Sequence, residues 1–185
     1  MDAALFSAIN GAHAPWLDTL MTWVSWLGHF PGVWFLSAAA GLLSPRLRAS
    51  AFRACLAVSL TYVMASGAVK PLVGRARPYE AGVVAARTVE PSPATGYSFP
   101  SGHAATAVAG ALSGARLVPA AAPVLWGLAT LMAVSRIYVG VHYPSDVVAG
   151  AMLGVVCAYL VLGGRHASAA PWPAPEGRNT RLRRP

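Results

Sequence analysis

The sequence predicts an all-α fold: a polytopic membrane helical bundle of five spanning helices. An N-terminal helix, residues 16–29, either lies in the interface or spans as a sixth. Composition and pattern carry that expectation. Of the 185 residues, 56% are hydrophobic and only 11% are charged, whereas a soluble domain carries about 25% charged residues. Such a deficit leaves too little charge to cover a soluble surface. The apolar residues also fall in successive runs, broken by stretches rich in Pro, Gly and Arg, as spanning helices and their loops require.

Each element has its own reason. Residues 1–14 are short, polar and rich in Ala and Gly, and read as non-spanning. From Trp16 to Leu27 the polar positions Asp18, Thr22 and Ser25, with His29 beyond, recur at helical spacing. Trp16, Trp23 and Trp26 lie on the other faces, and indole rings favour the membrane interface. Pro31-Gly32 breaks this helix. Val33–Leu43 is a short apolar run that crosses a membrane only if Gly28–Gly32 or the preceding helix contributes. Ser44 to Arg48, with Arg53, forms a basic loop. Ala54–Val69 is an uncharged helix expected to stop at Lys70-Pro71, because a residue before proline is pushed out of helical geometry. Residues 71–101 form a long polar segment, a length usually reserved for function or disorder. Further helices are expected from Ser101 to Leu117, Ala121 to Ser135, and Pro144 to Gly163. Residues 1–163 thus form one membrane-embedded domain, and 164–185 a disordered basic tail rich in Gly, Ala, Pro and Arg.

Charge sets the expected orientation. Arg46, Arg48, Arg53, Arg116, Arg165, Arg178, Arg181, Arg183 and Arg184 make nine of the fourteen basic residues, and alternating spans put them on one side. Lys70, Arg75, Arg77, Arg87 and Arg136 occupy the other. The positive-inside rule then makes the tail cytoplasmic and the second group external. The net charge of +8 reads as a topology signal and not as a nucleic-acid surface, since no folded basic face with interleaved aromatics is evident. Cys55 and Cys157 sit inside apolar runs and read as small buried hydrophobes. With no Lys or Arg before the first apolar stretch, the N-terminus does not resemble a cleaved signal peptide.

Three polar segments fall on that external side. They are Lys70 through Arg77-Pro78, Pro100-Ser101-Gly102-His103, and Ser135-Arg136 through His142 to Asp146. Charged clusters beside apolar runs are costly to keep and usually mark function. In order and spacing the three segments resemble the signature of the type-2 phosphatidic acid phosphatase superfamily, which holds lipid phosphate phosphatases, bacterial acid phosphatases and vanadium haloperoxidases. Every position of that signature is matched between Lys70 and Asp146. Pro-Ser-Gly-His alone would be a weak signal; three ordered motifs are specific.

The resemblance implies a membrane phosphatase, and the residue types suit that chemistry. A phosphate ester is shielded by its own charge, which Lys70, Arg77 and Arg136 would neutralise. Ser101 and the Gly102 N–H stand at a helix start, where unpaired N–H groups bind anions. Asp146 would fix the tautomer of His142 so that the other ring nitrogen attacks phosphorus. His103 would serve as general acid. The resemblance further implies a phosphohistidine on His142, no metal and no cofactor. The implied partners are membrane lipids and a phospholipid or polyprenyl phosphate substrate. Undecaprenyl diphosphate is the first choice, with phosphatidic acid, phosphatidylglycerol phosphate and lipid A phosphates as competitors. Size and an Ala/Arg-rich composition suggest a bacterial inner-membrane enzyme, and the charge bias puts its site on the exterior. A vanadate-dependent haloperoxidase and a non-catalytic lipid-binding protein are the alternatives from other classes. The apolar helices weigh against the first, and the complete set of catalytic residues against the second. His13, His29 and His166 read as ordinary capping or surface histidines, Arg75 and Arg87 as solvated loop charges, Tyr79 and Glu80 as surface residues, and Trp126 as packing or lipid contact.

Overall fold

The computed structural model describes residues 2–28, 32–82, 86–89 and 96–163, and all their regular structure is helical. The α-helices are α1 (Asp2–Asn10), α2 (Pro15–Leu27), α3 (Gly32–Leu42), α4 (Arg48–Val63), α5 (Lys70–Val73), α6 (Pro78–Ala81), α7 (Gly102–Leu117), α8 (Ala122–Tyr138) and α9 (Pro144–Leu162). A π-helical stretch, Met64–Val69, joins α4 to α5.

The bundle is built around α7, which packs against α9, α8, α4 and α3. Residues Ala104 to Ala111 of α7 are all buried. Small side chains there let neighbouring helices approach closely. On α9, a Cβ at Gly150 would sit 2.3 Å from the Ser101 carbonyl oxygen, and one at Gly154 would sit 2.3 Å from that of Ala105. Only glycine permits this approach, and it brings the starts of α7 and α9 together.

Outward faces are apolar. Trp16, Trp23, Leu36, Phe52, Leu72, Met152 and Leu160 are all exposed, as expected of side chains that meet lipid. Among the described residues, three helical stretches are long and apolar enough to cross a membrane: Arg48–Ala81, Pro119–Tyr138 and Pro144–Leu162. The 16 residues of α7 and the 11 of α3 are shorter.

The contacts of α2 and α3 follow one another along the bundle. The Tyr138 hydroxyl donates to Asp18, Ser25 meets Arg136, and Gly28 abuts Met132. Further along, Trp34 covers Gly110 and Gly41 abuts Ala51. The polar stripe of α2 therefore faces protein, while its tryptophans face outward.

Several boundaries differ from those read in the sequence. The N-terminal segment contains α1, whose Phe6 is buried against Tyr143. Helix α4 begins at Arg48 and not at Ala54, and Arg48 Nε donates to the Leu42 carbonyl at the end of α3. The helical path does not stop at Lys70-Pro71. The Lys70 N–H bonds the Ala65 carbonyl, five residues back. This π register loosens the turn where proline lacks an N–H and would crowd a carbonyl. The stop comes at Gly74, at φ 62°. Helix α8 runs on to Tyr138, so Arg136 lies in its last turn. Cys55 and Cys157 are free thiols, with only Cys157 fully buried. The expected tail, 164–185, lies outside the described residues.

Candidate active site

The site begins where α8 ends. The N–H groups of Val141 and His142 both donate to the Arg136 carbonyl, at 3.3 and 3.2 Å. This reversal folds His142 under Arg136. It needs Gly140, which adopts φ 84° and whose absent Cβ would fall 2.5 Å from the Arg87 carbonyl oxygen. Helix α9 starts two residues after His142. Asp146 is its third residue and reaches back to accept the Tyr143 N–H at 2.9 Å.

His142 is 2% exposed, with Asp146, Arg77 and Arg136 all buried around it. One face of its ring meets acid. Asp146 Oδ2 lies 3.6 Å from Nδ1. Ser98 Oγ lies 3.5 Å from the same nitrogen and donates to Asp146 Oδ2 at 2.5 Å. The other face meets base. Arg77 Nη1 lies 3.5 Å from Nε2 and is held by the Val141 carbonyl at 2.9 Å, while its Nε donates to Gly96 O at 2.8 Å. Lys70 donates to the Tyr97 carbonyl at 2.5 Å. Arg136 is fully buried, with Nη1 on Ser25 Oγ.

Burial pushes the His142 imidazole well below its ordinary pKa of 6.5. The contact with Asp146 pulls the other way, and the charges of Arg136, Arg77 and Lys70 add to the depression. The ring is therefore neutral at physiological pH, with a lone pair on one nitrogen. Because Nδ1 faces the carboxylate, that lone pair falls on Nε2, on the side of the cations.

The second motif arrives on α7. Ser101 is its N-cap, accepting from the Ala104 N–H at 3.4 Å. The Ser101 N–H donates to the Asp146 carbonyl at 2.9 Å, so the starts of α7 and α9 are tied directly. Gly102 opens the helix facing Ser66, and His103 and Met132 both pack against Gly28. All eight residues singled out in the sequence, Lys70, Arg77, Ser101, Gly102, His103, Arg136, His142 and Asp146, thus belong to one end of the bundle. Among the described residues, no three His, Cys, Asp or Glu are grouped to hold a metal ion.

Other neighbours of this cluster were not legible in sequence. Ser98 sits in an irregular loop, and no spacing rule links it to Asp146. Ser25 is one of several polar positions on α2, and nothing in the sequence sets it apart. Arg75 is not a solvated loop charge. It bonds Asp146 Oδ1 at 2.5 Å and Asp2 at 2.8 Å, and lies 4.0 Å over the Tyr143 ring, because the α5–α6 turn aims it inward across α9. Arg87 is largely exposed, as expected, with a 3.5 Å contact to Asp18. His13, expected to be a capping or surface residue, stands just before α2 and is half-buried. It bonds Asp18 at 2.7 Å and packs tilted against the Tyr138 ring, which pins the start of α2 to the end of α8. Tyr79 is half-buried against Met21, Tyr138, Val139 and Val141. Glu80 is exposed and accepts the Arg77 N–H at 3.1 Å. His29 and His166 lie outside the described residues.

The profile of the PAP2 superfamily matches residues 50–168. The chain is 35% identical over 161 residues to an undecaprenyl-diphosphatase of Sulfolobus acidocaldarius, covering 84% of this chain and 74% of that one. It is 36% identical over 129 residues to a decaprenylphosphoryl-5-phosphoribose phosphatase of Mycobacterium tuberculosis, covering 69% of each. Among solved structures, the crystal structure of Aquifex aeolicus LpxE superposes with a TM-score of 0.72 at 28% identity, over 87% of this chain and 94% of the other.

Proposed function

The chain belongs to the PAP2 superfamily and is a membrane lipid phosphate phosphatase, and from that premise we propose that it cleaves a polyprenyl diphosphate through a phosphohistidine on His142. One observation carries the reading. His142 is a buried imidazole with Nδ1 toward Asp146 and Nε2 toward Arg77. That is the arrangement a nitrogen nucleophile needs.

The proposed steps use the groups gathered at this end of the bundle. A lipid phosphate approaches the external end of the bundle, drawn by Lys70, Arg77 and Arg136. These cations, with the N–H groups at the start of α7, neutralise the phosphoryl oxygens. Charge spread over three equatorial oxygens is the main demand of the transition state, and fixed positive groups meet it. They supply the charge neutralisation for which other phosphatases use metal ions. Nε2 of His142 attacks phosphorus, and the bond from phosphorus to the leaving oxygen breaks. His103 gives that oxygen its proton. Water then attacks the phosphohistidine, His103 takes a proton back, and inorganic phosphate leaves with His142 restored. Asp146 holds the Nδ1 proton throughout.

The substrate choice rests on chemistry and likeness. Two relatives are named for polyprenyl-linked phosphates, which supports undecaprenyl diphosphate as substrate and undecaprenyl phosphate as product. We read five crossings, made by α2 with α3, α4, α7, α8 and α9. Residues 1–163 form the catalytic unit, and 164–185 a cytoplasmic basic tail. The bacterial plasma membrane is the setting, with the site facing outward, as the basic residues of the Arg46 loop and the tail favour.

The test is phosphate release by the purified protein in detergent with a chelator present. Undecaprenyl diphosphate, phosphatidic acid, phosphatidylglycerol phosphate and a lipid A phosphate are compared, each beside His142→Ala. Fastest release from the polyprenyl substrate, lost in the variant, is expected. Preference for a glycerolipid or lipid A would reassign the substrate. A reporter near Ala94 on the cytoplasmic side would overturn the orientation.

A further inference from the structure

Resting on the phosphatase reading above, we propose that Arg75 and Asp2 form a positioning latch that fixes the Asp146 carboxylate toward His142, so that helix α1 is part of the working site. Neither residue belongs to the three-part signature, and they come from opposite ends of the first 75 residues.

The two oxygens of Asp146 are used differently. Oδ2 accepts from Ser98 Oγ at 2.5 Å and the Tyr143 N–H at 2.9 Å, and lies 3.6 Å from His142 Nδ1. Oδ1 accepts from Arg75 Nη1 at 2.5 Å. Holding Oδ1 fixes the rotation of the whole carboxylate and therefore where Oδ2 points. A carboxylate released on one side can swing, taking the tautomer control of His142 with it.

Arg75 can serve as that anchor because it is itself fixed. Its Nη2 donates to Asp2 Oδ2 at 2.8 Å, its Nη1 also donates to Ser145 Oγ at 2.7 Å, and its guanidinium lies on the Tyr143 ring. Its carbonyl accepts the Ser98 N–H at 2.7 Å, so one residue positions both Asp146 and the serine that bonds it. Asp2 closes the arrangement. Its Oδ1 accepts the Ser145 N–H at 2.9 Å and its Oδ2 the Ser145 hydroxyl at 2.5 Å. The N-cap of α9, Tyr143, makes no side-chain cap bond. The Asp2 carboxylate satisfies the helix start from 143 positions away, where negative charge is also favoured by the helix dipole. Phe6 of α1 packs on the same Tyr143 at 5.8 Å.

The alternative is that Arg75 is a fourth phosphate ligand. Its geometry argues otherwise. Both terminal nitrogens are engaged with carboxylates, and it meets the oxygen of Asp146 farther from His142. The cation at Nε2 is Arg77. With Asp2 and Asp146 on either side, Arg75 adds no net positive charge to the pocket.

The experiment uses full-length Arg75→Ala, Arg75→Lys, Asp2→Ala and Asp2→Asn, with a lipid phosphate substrate and orthovanadate as the phosphate analogue. For Arg75→Ala, kcat is expected to fall roughly 10- to 100-fold, the cost of losing geometric control of a reacting group. KM and the inhibition constant of vanadate should stay within about 2-fold of wild type, because uniform binding is untouched. Arg75→Lys restores part of kcat, since an ammonium reaches one carboxylate but not both. Asp2→Ala shows the same pattern at smaller size, about 3- to 10-fold in kcat. Raised KM with weakened vanadate binding in Arg75→Ala would overturn the latch in favour of phosphate contact. Should Arg75→Ala fail to fold, Arg75→Lys and Asp2→Asn carry the test, and wild-type kcat in both would overturn it. A wild type silent on every lipid would remove the phosphatase reading and the latch with it; an active wild type with indifferent variants removes the latch alone.

Discussion

Substituting Gly150 by alanine probes the link between helix packing and chemistry. A Cβ there would lie 2.3 Å from the Ser101 carbonyl oxygen, 3.2 Å from its carbon and 3.3 Å from its nitrogen. Ordinary contact begins at 3.4 Å, so α9 must retreat from α7 by about 1 Å, and the obstacle is backbone that no rotamer change can move. The displaced ends carry Asp146 on one helix and Ser101 to His103 on the other, joined by the 2.9 Å bond from Ser101 N–H to Asp146 O. Overpacking of this kind costs about 1–3 kcal/mol of stability, partly offset by alanine's helix preference of about 1 kcal/mol over glycine. The catalytic cost is larger, because misplacement by about 1 Å can cost on the order of 100-fold. The assay is kcat on a lipid phosphate beside the thermal midpoint in detergent. Gly127→Ala serves as control, since nothing lies within 4 Å of its absent Cβ. Wild-type kcat and an unchanged midpoint in Gly150→Ala would refute the packing argument.

Other expectations follow from single contacts. Ser98→Ala removes a short bond to a buried carboxylate, worth about 1.5–3 kcal/mol. We expect a fall in kcat of about 10-fold or more with vanadate affinity retained, and an unchanged rate would show that Ser98 does not support Asp146. His142 should stay neutral well below pH 6.5 in an NMR titration of the folded protein, and a midpoint near 6.5 would contradict its burial. The sign for stability follows. The unfolded chain takes up a proton at the ordinary 6.5 and the folded one does not, so this group's support is full above pH 6.5 and is lost as pH falls below it. Ser25→Ala strips a partner from the fully buried Arg136, and chemical denaturation should register roughly 1–3 kcal/mol of lost stability. No change would mean that Arg136 is held by other contacts.

The sequence carried the site better than it carried the helices. Lys70, Arg77, Ser101, Arg136, His142 and Asp146 were legible as a group because they stand in three motifs at fixed spacings, which the fold brings to one end of the bundle. Helix type was legible from apolar runs, but ends were not. Proline at 71 argued for a stop, yet a π register carried the helical path through it. Ser98 and Arg75 were hidden for another reason. Both reach Asp146 across 48 and 71 positions, a proximity created by the fold and by no local pattern. Arg75 resembled any other loop arginine until Asp2 and Tyr143 were seen around it. The tryptophans of α2 pointed to a membrane face, but the inward role of Ser25 needed α8 beside it.

The most direct measurement is to trap the intermediate. Protein is mixed with a lipid substrate carrying radioactive terminal phosphate, quenched in alkaline detergent within milliseconds, and mapped by peptide. The account expects an alkali-stable, acid-labile label on the peptide holding His142, absent from His142→Ala, which also releases no phosphate. Label on another residue, or phosphate release that persists in His142→Ala, would contradict it.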